Sequence, residues 1–142
     1  MKILIDTPIW SKAFRRRKIK SDDKAIVDVL KYLIDEFMEV IIGPIRQELL
    51  SGISDEKVFN ELKEKMEGFN DFPIETKDYE LAAEYSNICR RNGIQGSNTD
   101  FLICAISVRN NFEIYTMDDD FNQYKQYLPI KIFDIKTIGR FA

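Results

Sequence analysis

The 142-residue sequence predicts an α/β fold in which a mostly parallel sheet carries helices on both faces. Three observations lead there. Short apolar runs alternate along the chain with longer segments of helical periodicity. The first run, Ile3-Leu4-Ile5, is apolar at every position, as suits a strand covered on both sides. The elements also come in the order β-α-β-α-α-β-α-α-β-β, with helical segments between most strands.

Each element has its own signal. The first strand stops at Asp6, and Thr7-Pro8 follows, with Pro8 placed to open a helical turn. Trp10 and Phe14 are four apart and share that turn's face. Arg15 to Lys20 reads as a basic loop. Ser21-Asp22-Asp23 offers caps for a helix from about Lys24 to Glu39, with Ile26, Val27, Leu30, Leu33, Ile34 and Phe37 at helical spacing. Val40-Ile41-Ile42 is a second strand. Pro44 opens a helix that Gly52 stops, and Ser54 to Glu67 forms another, ended by Gly68. Asp71 to Glu75 is a third strand, weakened by Pro73. Lys77 to Asn92 is a helix ended by Gly93. The cap candidates from Ser97 to Asp100 open an unusually apolar helix, Phe101 to Val108. Phe112 to Thr116 and Ile130 to Phe133 are the last two strands.

Length predicts a single domain over residues 1–142, long enough to bury about 70% of the unfolded surface. The chain contains no histidine, which excludes Ser-His-Asp and Cys-His catalysis and imidazole zinc sites. Any hydrolysis must therefore use carboxylates, Lys, Ser, Thr, Tyr or Cys. Cys89 and Cys104 belong to no CxxC and read as reduced, buried small hydrophobes. A net charge of −3 argues weakly against a non-specific nucleic-acid coat, but bound metal and local basic residues can offset it at one site. No signal peptide or membrane span is expected, and the expected location is the cytoplasm.

The carboxylates carry the functional argument. Asp6 sits at the carboxyl end of the first strand and Asp118 just past that of the fourth. Ligands of open parallel sheets bind outside those strand ends. Glu48 lies one turn into its helix, and Asp100 opens the apolar helix. Taken singly, each has a plain reading: Asp6 as a cap, Glu48 as a solvated helix residue, Asp100 as a first-turn acid, Asp118 to Asp120 as a polar turn. Together they say more, because Asp6 ends a strand that looks fully buried, and burying a lone carboxylate is costly.

Four blocks then resemble the PIN-domain proteins of the VapC toxin type. They are ILIDTPIW, IGPIRQELLSG, GIQGSNTDFLICA and YTMDDDF, in the family's order and spanning residues 3 to 121. The resemblance implies a three-layer α/β/α fold with a five-stranded parallel sheet. It implies metal-facing acids at Asp6, Glu48, Asp100 and Asp118, with Asp120 acting beside or instead of Asp118. Thr7 and Thr116 match hydroxyl positions that support the acids, while Gln95 and Asn98 receive no role.

The implied activity is endonucleolytic hydrolysis of RNA with Mg²⁺ or Mn²⁺, by the toxin of a toxin–antitoxin pair, with a cognate antitoxin and a homodimer as partners. Oxygen ligands suit Mg²⁺, so the absence of histidine costs nothing. Arg15, Arg16, Arg17, Lys18, Arg46, Arg90 and Arg91 are candidates to border the site for RNA, or are simply solvated. The alternatives are an RNA-processing nuclease of this fold that is not a toxin, and a non-catalytic PIN-like binding module, which would have lost its acids. A dinucleotide site lacks its GxGxxG, and a haloacid-dehalogenase pattern fails because Pro8 stands where its second Asp belongs.

Overall fold

A computed structural model describes residues 1–15 and 18–138. β1 (Ile3–Ile5) is completely buried at all three positions, which requires cover on both faces. It lies between β2 (Glu39–Val40) and β3 (Glu113–Tyr115), and both pairings are parallel, giving the order β2-β1-β3.

The strand count differs from expectation: the described residues form a three-stranded sheet, not a five-stranded one. The two missing strands are present as flanking segments with one parallel bridge each, Ile41 to Asp71 and Ile114 to Ile132. On one flank Phe72 N–H donates to the Ile41 carbonyl, and Pro73, which has no N–H, ends the pairing. On the other, Ile114 and Phe133 N–H groups donate to the Lys131 and Ile114 carbonyls, and the ladder goes no further. Five chain segments thus lie side by side, of which three make a ladder.

The helices pack in two groups. α1 (Thr7–Phe14) meets α2 (Lys24–Asp35) and α3 (Gly43–Leu50), and α3 meets α4 (Glu56–Met66). α5 (Thr76–Arg91) lies along α6 (Asn98–Asn110), which leans on β3. A short α7 (Asp120–Tyr124) follows β3. α6 is buried at every position from Phe101 to Ser107, which explains its lack of a polar face. Among the described residues, no helix is long and apolar enough to cross a membrane.

α2 stops at Asp35, short of the expected Glu39. Phe37 takes a left-handed turn (φ 56°), while Met38 N–H reaches back to Leu33 and Phe37 N–H to Ile34. That double bond is a helix stop usually built on glycine, so the sequence carried no sign of it.

Arg46 is a strut and not a free cation. Its guanidinium pairs with Asp71 at 3.0 Å and donates to the Met66 and Phe69 carbonyls, tying α3 to the end of α4 and to the sheet's flank. Arg46→Ala is expected to cost about 2 kcal/mol of stability, because two carbonyls and one carboxylate lose a charged donor. Urea titration checks this: an unchanged midpoint would show the strut to be idle.

Candidate active site

The carboxyl ends of β1 and β3 lie next to each other, so the residues just beyond them share one edge of the sheet. Asp6 leaves β1 and caps α1. Its Oδ1 accepts from Thr7 N–H at 2.8 Å, and its Oδ2 accepts from the Thr116 hydroxyl at 2.8 Å. Thr116 Oγ1 in turn accepts from Asp118 N–H at 3.0 Å. One hydroxyl therefore fixes the acid at the end of β1 and the loop that follows β3.

Asp6 is only 5% exposed. Burial pushes its pKa up to about 6, against the pull of the Thr116 and Thr7 hydrogen bonds, and the charges of Asp100 and Glu48 add to the rise. Those two acids therefore lie within electrostatic reach of Asp6. Glu48 is linked to it through the chain as well, since the Thr7 hydroxyl donates to Glu48 Oε1 at 2.8 Å.

Asp100 occupies the first turn of α6, where Ser97 caps the helix by accepting from Asp100 N–H at 3.1 Å. Its Oδ2 accepts from the Tyr124 hydroxyl at 2.6 Å. Burial raises the Asp100 pKa, the Tyr124 and Ser97 bonds oppose this, and the charges of Asp118 and Asp120 raise it further. Asp118 Oδ1 accepts from Asp120 N–H at 2.9 Å and so starts the turn into α7. One carboxylate oxygen from each of Asp100, Asp118 and Asp120 lies within 4.8 Å of the other two.

Five acids from four stretches of chain thus meet at one edge of the sheet. Asp118 and Asp120 stand together in the tight group, so the choice between them is replaced by both being at hand. No ion pair among the described residues reaches any of the five. Hard oxygen donors with uncompensated negative charge are what a divalent cation such as Mg²⁺ takes, so the donor set fits a metal.

Residues 3–127 match the family model described as the PIN domain, which is most of the chain. The chain belongs to the PIN-domain family.

Several solved structures share its architecture. The FitAcB structure from Neisseria gonorrhoeae superposes with a TM-score of 0.74 at 20% identity, covering 94% of this chain and 97% of that one. VapBC2 from Rickettsia felis, bound to a DNA fragment from their promoter, gives 0.71 at 16% identity, covering 94% and 98%. VapBC-1 from nontypeable Haemophilus influenzae gives 0.70 at 15%, covering 96% and 99%. At such identities the likeness is one of fold. No curated protein matches the sequence.

Some expectations about the site's surroundings change. Arg46 is engaged elsewhere, and Arg16 and Arg17 lie outside the described residues. Arg90 lines a small cavity with Ser86, Ile94, Gln95, Gly96 and Phe101. Sequence reasoning missed Tyr124, whose only outward sign is its place four residues after Asp120, on the same face of a helical turn.

Proposed function

We propose that this PIN-domain chain is a divalent-metal-dependent endoribonuclease and the toxin of a toxin–antitoxin pair. The observation that carries the proposal is the meeting of Asp6, Glu48, Asp100, Asp118 and Asp120 beyond β1 and β3, with no ion pair to any of them among the described residues. PIN domains are generally nucleases, which agrees with that chemistry.

In this reading Asp6 and Asp100 hold the principal ion, and Glu48 and Asp118 complete its shell or a second site, with Asp120 beside Asp118. When bound, Mg²⁺ or Mn²⁺ lowers the pKa of water and stabilises charge on the phosphate and the departing 3′ oxygen. The chain's own part is alignment. Thr116 and the Thr7 N–H hold Asp6 by both oxygens, so its carboxylate cannot rotate freely. The Thr7 hydroxyl ties Glu48 to the residue that follows Asp6. Arg15, Lys18, Arg90 and Arg91 are the described cations proposed to receive the RNA backbone.

The toxin reading draws on the fold neighbours, which are named as VapBC and FitAB complexes, one FitAB and one VapBC bound to DNA. A cognate antitoxin and a second copy of the chain are the proposed partners. The test uses the full chain stripped of metal. Single-stranded RNA should stay intact until Mg²⁺ or Mn²⁺ is added, and growth arrest on expression should be relieved by a small neighbouring reading frame. Cleavage that persists undiminished in chelator would sink the metal-dependent mechanism.

A further inference from the structure

Tyr124 is completely buried at the end of α7, and its hydroxyl donates to Asp100 Oδ2 at 2.6 Å. Its ring is fixed by Phe101 at 5.1 Å and Phe121 at 5.2 Å between centroids. The hydroxyl end lies over Gly96. A Cβ added there would stand 2.3 Å from the Tyr124 oxygen and 2.8 Å from Cζ, so only glycine leaves room for this hydroxyl. Three residues cooperate in one contact: Gly96 opens the space, the phenylalanines hold the ring, and the hydroxyl grips one Asp100 oxygen.

We infer that Tyr124 is a positioning residue that sets the Asp100 carboxylate for a divalent cation shared with Asp118 and Asp120. This rests on the metal reading above. The argument is geometric. Asp100 has two equivalent oxygens on a rotatable bond, beside two other acids that repel it. A neutral donor buried to one side ties down one oxygen and leaves the other for the cluster, without adding a positive charge that would compete with the ion. α7 carries both Asp120 and Tyr124, so the same helix that brings a candidate ligand also aims its neighbour. Partners of this outer kind commonly change metal affinity by about 10- to 100-fold.

The test is Mn²⁺ binding to the metal-stripped full chain, read as loss of the free-ion paramagnetic resonance signal, with no RNA present. Tyr124→Phe keeps the ring and removes only the hydroxyl. It should weaken Mn²⁺ binding about 10-fold while the thermal midpoint without metal stays near that of the parent. Gly96→Ala attacks the same contact from the other side and should weaken binding similarly. Asp100→Asn is the control. If Asp100→Asn weakens binding and Tyr124→Phe does not, the positioning role is overturned and the metal site stands. If Asp100→Asn binds Mn²⁺ as the parent does, the metal reading itself falls.

Discussion

Asp6→Asn and Asp100→Asn should each reduce RNA cleavage by more than the roughly 10- to 100-fold that outer partners of a metal command, with the fold retained. Asparagine keeps the shape of the side chain. At position 6 its Oδ1 can still accept from Thr7 N–H and cap α1, so circular dichroism should not change. What disappears is one negative charge and one strong oxygen donor. The two acids belong to different elements, the end of β1 and the first turn of α6, and the charge of Asp100 reaches Asp6. Removing either leaves a shell that the remaining acids cannot complete in the same geometry. Gel analysis of a defined single-stranded RNA with Mn²⁺ provides the check, and full activity in both variants would remove these acids from the mechanism.

Metal should stabilise the protein strongly, and in a pH-dependent way. An ion at about 100 times its Kd contributes ~2.7 kcal/mol, or roughly 10 °C in thermal midpoint for a chain of this size. Without metal the trend with pH runs the other way from most carboxylates. The Asp6 pKa is about 6 in the folded protein against an ordinary 3.8, so the folded state holds the proton more tightly than the unfolded one. That contribution is fully present below pH 3.8 and is lost as pH rises through about 6. It is worth on the order of 3 kcal/mol, because the acid is buried. The metal-free protein should therefore lose stability between pH 4 and 6, and Asp6→Asn should flatten this slope and raise the midpoint at pH 7. Protons and ions compete for the same oxygens, so the gain from Mn²⁺ should be larger at pH 7 than at pH 5. Melting curves over this range decide the matter: an equal Mn²⁺ shift in the parent and in Asp6→Asn would refute the role given to Asp6.

The layered α/β class was legible because its signals are local. Ile3 to Ile5 is apolar throughout, and the structure buries all of it. Helix stops were legible where glycine marks them, as at Gly52 and Gly93, both at positive φ, and not at Phe37. Strand count was overread, since the segments at Asp71 and Ile132 have strand-like composition but make one bridge each, and pairing length depends on a partner that one segment cannot reveal. Asp6 and Asp118 could be named because they follow strand ends, where side chains from distant segments meet, whereas Glu48, Asp100 and Asp120 were named through the resemblance to the PIN family. Tyr124 could not, since its importance lies in a hydroxyl meeting Asp100 across 24 residues, and in a space left by Gly96. Aromatic residues near a chain's end read as core unless the third dimension is known.

The central place of β1 has a consequence for synthesis. Its neighbour β3 spans residues 113–115, and Asp118 and Asp120 come later still. A ribosome that has released only the first hundred residues has made Asp6, Glu48 and Asp100 but neither β3, against which α6 packs, nor Asp118 and Asp120. In the metal-dependent reading, cleavage has to wait until residues beyond Asp120 have emerged, and copies terminated before Asp118 lack two of the five acids.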